Sequence, residues 1–296
     1  MQASSYQTDT TLSATVWQQC RRAHEQRVSL WIRPHQARTS RGEKHPVYDF
    51  LFEYYRFRPS WLRRWHPGPD VTLQGDGARE FLRWPEYHET ADGVVLNPAA
   101  LAPRRRESLA WMVNLLRVTA ERPPHFACHG LHEWAMVYRQ TPGEVRHNQW
   151  PLRFPPDELA RIVEAQPVCC SHFDAFRFFT PSARPLNKLQ PTRADAPQFE
   201  QRGCLHANMD LYKWAFKFAP FTPSELIADC FALARDIREI DMRASPYDFQ
   251  KLGFAPLCIE TAEGRAEYEG HQRAFAARSQ PLRARLIALG ERLLVS

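Results

Sequence analysis

The chain has 296 residues, 44% of them apolar, which is enough for a sizeable core and too many for a disordered protein. No run approaches eighteen apolar residues, so no transmembrane helix is expected. Lysine and arginine number 39 against 33 acids, and the net charge of +6 suits a phosphate-bearing partner without requiring one.

Residues 1–11, MQASSYQTDTT, have neither a basic start nor an apolar stretch, so they are expected to be disordered and not to act as a secretory signal. Residues 12–296 read as one globular domain, mostly α-helical, with short irregular or β segments. The first helix is predicted over 13–32, followed by a basic linker over 33–46 and a helix within HPVYDFLFEYYRF, residues 45–57. Glycine and proline punctuate residues 67–103, with short strands expected at VTL and VVL. Helices follow over 104–121, 131–139 and 155–166, the last opened by two prolines and two acids. VCCSHFDAFRFF, 168–179, reads as a strand or a buried loop, and 181–202 as a proline-rich loop. A helix over 204–218 is followed by one whose Thr222, Pro223 and Glu225 form a capping box. Two further helices, split at Pro281, complete the tail. The seven cysteines are odd in number and lack both framework spacing and a CxxC pair, which points to a reducing cytoplasm.

The helix GCLHANMDLYKWAFKFAP is apolar around most of its circumference. At 100° per residue, His206, Asp210, Lys213 and Lys217 fall within roughly 60° of one another. Apolar residues flank this narrow stripe on both sides, as in a helix packed twice with a polar groove between. The same four also read as a solvated ribbon with Asp210 and Lys213 paired. On the next helix Asp229 and Asp236 edge a core stripe of Leu226, Cys230, Leu233, Ile237 and Ile240, while Arg238 points more outward. Acids so placed need partners, either arginines of a neighbouring helix or His206 and Asp210 across a cleft.

Twelve histidines produce suggestive spacings. His129, His132 and Glu133 crowd one short helix, although the pattern is not HExxH. His172 and Asp174 share a face if their segment is extended. With His206 and Asp210 they could assemble a two-histidine, one-carboxylate iron site or a dinuclear centre on helices. FEYYRFRPSWLRRWHPG, 52–68, interleaves aromatics with arginines, the pattern that stacks on bases and clamps phosphates. No GxGxxG, P-loop, GxSxG or kinase signature occurs, which disfavours dinucleotide enzymes, P-loop phosphotransferases and serine hydrolases.

HPVYDFLFEYYRFRPSWLRRWHPG, GLHEWAMVYR, SHFDAFRFFTPSARPLN and the long run from GCLHANMDLYKW to DMRASPYD together resemble a bacterial family commonly labelled 3-methyladenine DNA glycosylase, over about residues 45–280. The resemblance implies excision of alkylated purines from DNA with no cofactor, and it leaves the roles to the residues themselves.

Three expectations follow. As a glycosylase, the chain would flip a cationic base and steady the developing sugar cation with a carboxylate, Asp210, Asp229 or Asp236. Tyr54, Tyr55, Trp61, Tyr212 and Trp214 would stack on the base, and Arg63, Arg64, Lys213 and Lys217 would hold phosphates. As a helical enzyme of iron or another divalent metal acting on a small molecule, it would draw ligands from His129, His132, Glu133, His172, Asp174, His206 and Asp210. As a non-catalytic nucleic-acid binder, it would bind DNA in a salt-sensitive way.

Overall fold

The computed structural model describes residues 10–141, 143–145, 147 and 149–296. It is mostly α-helical with one small sheet, as the sequence predicts. Of the segment expected to be disordered, residues 1–9 lie outside the described ones. Thr10 and Thr11 instead begin strand β1 (Thr10–Leu12).

Contacts gather the chain into two compact units. The first holds the described residues up to Val113, with Tyr212–Ala232 and Ala284–Ser296. The second holds Asn114–Leu211 and Leu233–Arg283.

The first unit contains the sheet. β1 pairs parallel with β2 (Val71–Leu73), which pairs antiparallel with β4 (Gly93–Leu96), and β4 with β3 (Tyr87–Thr90). VTL and VVL are strands as predicted, whereas β3 and a 3-10 segment over Asp76–Arg83 add order to a stretch read as irregular. Helix α1 (Ala14–Ser40) runs through Pro34 and absorbs most of the predicted linker. Past the proline its last turns are held by Asp49, which accepts from His35 Nδ1 at 2.9 Å and Arg38 Nε at 2.9 Å. These bonds offset the one backbone bond that proline cannot make. Helix α2 (Phe50–Tyr55) is shorter than predicted because Arg56 turns left-handed, and α3 (Pro59–Leu62) follows.

Helix α4 (Pro103–Glu121) begins in the first unit and ends in the second. So do parts of α9 (Leu205–Lys217), α10 (Ser224–Arg243) and α11 (Ala262–Val295) belong to each. Within the first unit the end of α11 packs on α4 at Gly290, where a β-carbon would strike Val113. The predicted capping box is absent: α10 starts at Ser224, and the buried Thr222 hydroxyl makes no hydrogen bond. Ser224 Oγ instead accepts from His66 N at 2.8 Å, and Glu225 accepts from Trp65 Nε1 at 2.6 Å.

The second unit adds α5 (Leu131–Ala135), α6 (Pro156–Glu164), α7 (Phe173–Phe176) and α8 (Ala196–Phe199). The segment read as strand or loop around 173 is this short α7. α11 is one helix, not the predicted two: Pro281 sits inside it. Arg283, two residues on and fully buried, donates to Asn208 Oδ1 at 2.6 Å and anchors the helix past the proline.

Candidate metal centre

The second unit brings together the histidines that the sequence scatters. Gly130, left-handed at φ 77°, opens α5 and sets His132 on its first turn. The start of α9 supplies His206 and, one turn later, Asp210. The end of α10 supplies Asp241, His172 precedes α7, and Glu200 follows α8. All six side chains are buried.

One donor atom each from His132, His206 and Asp241 can be chosen so that all lie within 4.8 Å of one another. His132 Nε2 stands 3.0 Å from Asp241 Oδ1, a buried pairing of imidazole and carboxylate. Ligands bound about 2.1 Å from one ion stand roughly 3.0–3.4 Å apart, so the spacing is compatible with two donors around a common cation as well as with an ion pair. The histidine rings meet edge to face, with centroids 4.6 Å apart. His172 stacks on His206 at 5.4 Å, and its Nε2 lies 3.4 Å from Asp210 Oδ2 and 3.5 Å from Glu200 Oε1.

Surrounding groups fix these donors. Arg238 Nη1 donates to Glu133 Oε1 at 2.9 Å and to Asp241 Oδ2 at 3.1 Å, leaving Oδ1 toward His132. Cys128 Sγ lies 3.4 Å from His132 Nδ1. Such outer contacts orient a ligand histidine and a ligand carboxylate. Beside His132 and His206 is a small cavity of about 10 Å³, lined also by Cys128, Cys170, Cys204 and Tyr268. It admits about one water-sized molecule.

The electrostatics are those of a buried network of opposite charges. Burial opposes a charge on His132, but the Asp241 carboxylate and the Cys128 thiol outweigh it and raise the imidazole well above its ordinary range. Burial also disfavours the Asp241 charge, yet His132 and Arg238 hold that carboxyl low. His206 is driven the other way, by burial and then by His132, and stays neutral with a lone pair to offer. Cys128 is pulled down, first by its hydrogen bond from Cys170 and then, against burial, by His132.

Other sequence-predicted residues lie elsewhere. His129 takes a left-handed turn before α5 (φ 43°) and is not in the converging group. Glu133 is engaged by Arg238 rather than pointing among the histidines. Asp174 faces Arg177 at 3.2 Å. Of the three candidate catalytic aspartates only Asp210 is in the cluster. Asp229 pairs with Arg27 at 2.7 Å and Arg285 at 3.1 Å in the first unit. Asp236 pairs with Arg278 at 2.6 Å in the second. Asp241, Arg238, Glu200 and Cys128 were missed. Asp241 had a signal: it stands four residues beyond Ile237 and extends the core stripe of α10. Arg238, expected to point outward, is buried three residues before it.

The polar stripe of α9 is divided. His206 and Asp210 are buried, Lys213 is half-buried and Lys217 exposed, so neither a continuous groove nor a solvated ribbon describes it. Within the first unit, Tyr54, Tyr55, Tyr212 and Trp214 pack against other aromatics: Tyr55 meets Tyr212 at 5.6 Å and Trp214 meets Trp111 at 5.5 Å. Arg63 is exposed. Trp61, Arg64 and Lys217 line a separate cavity of about 510 Å³ in that unit, with Arg64 over the Trp61 ring at 5.2 Å. Among the described residues no helix is long and apolar enough to cross a membrane.

No protein-family model, curated protein or solved structure matches the chain.

Proposed function

We propose that the chain is a metal-dependent enzyme acting on a small molecule, with His132, His206 and Asp241 as ligands of a non-haem iron. The observation that carries this reading is the convergence of one donor atom each from His132, His206 and Asp241 within 4.8 Å of one another, all three side chains being buried. Two imidazoles and one carboxylate suit a divalent iron whose remaining positions stay open to reactants. When bound, the metal would supply Lewis-acid or redox chemistry to a ligand held beside it. The chain's own groups do the rest. His206 would offer a neutral nitrogen, and His132 would have to give up its proton to bind an ion. Arg238 keeps Asp241 Oδ1 directed inward, and the small cavity restricts what stands beside the histidines.

Elemental analysis of protein purified without chelator tests the reading. Bound iron that is lost in His206→Ala is expected. Wild-type protein that holds no divalent metal, even after anaerobic addition of Fe(II), would falsify it.

A second reading, excision of alkylated bases from DNA, is favoured by the 510 Å³ cavity, where the exposed indole of Trp61 and the cations Arg64 and Lys217 meet. Base stacking and phosphate contact need those groups. Its test is release of 3-methyladenine from methylated DNA, with loss in Trp61→Ala. Absence of release would remove it.

A further inference from the structure

We infer that the cavity of about 510 Å³ in the first unit binds a nucleoside phosphate, with an N–H on the ring edge meeting His24 and the phosphate meeting the cations of the rim. Every residue lining it belongs to the first unit, and the donors of the metal centre belong to the second, so the inference does not rest on the metal reading. It shares its place with the excision reading but concerns binding alone: a free nucleotide satisfies it without any bond being broken.

The lining changes character with exposure. His24, Leu62, His66, Phe216 and Ile227 are buried, while Trp61, Arg64 and Lys217 are exposed. The inner side is therefore apolar and aromatic and the outer side cationic, in a volume ordinary for a small-molecule site. Phe57 stacks on Phe216 at 4.2 Å and 14°, which gives the wall a flat aromatic layer. Arg64 lies over the Trp61 ring at 5.2 Å, so a stacking surface and a phosphate-binding cation stand side by side.

The charge suits an anion. Arg64, Arg105 and Lys217 line the cavity with a single acid, Glu86. Arg105 Nη2 donates to the Lys217 carbonyl at 3.1 Å and the Ala219 carbonyl at 2.9 Å, which fixes the guanidinium. Its Nη1 stands 3.7 Å from Glu86 Oε1, beyond hydrogen-bond length, so that edge can turn to a ligand.

His24 reads the ring. Its Nε2 stands 2.9 Å from the Leu62 carbonyl oxygen, which only accepts, so Nε2 carries the proton and Nδ1 is an acceptor. Burial pushes this imidazole below its ordinary range and keeps it neutral. Nδ1 is buried and meets no donor of the protein. A buried acceptor in this state favours a ligand that brings an N–H, as the amino group of a base does.

The test is calorimetric titration of the full chain with adenosine monophosphate, adenosine, purine riboside monophosphate (which lacks the amino donor) and an oligo(dA) strand. Adenosine monophosphate is expected to bind about tenfold or more tighter than adenosine and than purine riboside monophosphate. Trp61→Ala and Arg64→Ala, both at exposed positions, are each expected to weaken it about tenfold. Binding of the strand but not of the free nucleotide, with the same losses in the variants, upholds the site and places its ligand in a nucleic acid. No binding of either at millimolar nucleotide overturns the inference, as does binding that neither variant weakens. Equal affinity for purine riboside monophosphate overturns the role of His24. Nucleotide binding without release of 3-methyladenine removes the excision reading alone, so the two failures are told apart.

Discussion

His206 and Asp210 stand one turn apart on α9 and meet different neighbours: the His206 ring lies against His132 at 4.6 Å, while Asp210 Oδ2 faces His172 Nε2 at 3.4 Å. A single helix turn therefore serves two histidines from separate segments. The first prediction concerns which carboxylates matter. Asp241→Asn should lower metal affinity by at least 100-fold, measured by competition with a chelator. Asp229→Asn and Asp236→Asn, which disturb half-exposed ion pairs, should leave metal content intact and cost under about 1 kcal/mol each.

Arg238 is the cation that Glu133 and Asp241 share. Arg238→Met keeps the aliphatic bulk and leaves two buried carboxylates without their guanidinium. In metal-free protein the expected loss is about 3–5 kcal/mol, measured by urea unfolding. A loss under 1 kcal/mol would mean that the pair is not stabilised from this side.

The prolines and Asp241 show what was legible in the sequence and what was not. The helices carrying the cluster, α9 and α10, were read within a residue or two at each end because their apolar stripes are long and regular. Helix ends at Pro34 and Pro281 were read wrongly. A proline forfeits one backbone bond, and side chains from outside the helix, Asp49 shortly after the first and Asn208 far before the second, hold the turns beyond it. The site was half visible: His132, His172, His206 and Asp210 stood out as residue types. Asp241 looks like the next member of a core stripe, and no local pattern reveals that His132, from a separate segment far earlier in the chain, faces it.

Acid should destabilise the fold through His66. Burial, then the charges of Arg64 and Arg83, lower its imidazole to about 3 from 6.5. Folded His66 stays neutral while the unfolded ring takes a proton. Its contribution is therefore complete above pH 6.5 and is lost as pH falls toward 3. The slope approaches about 1.4 kcal/mol per pH unit. Between pH 7 and pH 5, His66→Phe should lose about 2 kcal/mol less stability than wild type, measured by urea unfolding at both values. Equal losses would show that other groups govern acid lability.

Gly68 takes φ 87°, and a β-carbon there would stand 2.6 Å from the Pro223 ring, which is rigid. Gly68→Ala should therefore destabilise by about 2–3 kcal/mol, from left-handed strain together with overpacking. An unchanged melting temperature would mean that this loop can move away from Pro223.

The interleaving of the two units bears on how the protein is made. Unit 1 draws on both β1 and Ala284–Ser296, with all of unit 2 encoded between them. A ribosome therefore makes all of unit 2 before the last turns of α11 can reach Val113. Unit 2 has its last residue at Arg283, immediately before the final segment of unit 1, so the two units become complete almost together. No single cut in the coding sequence isolates either half.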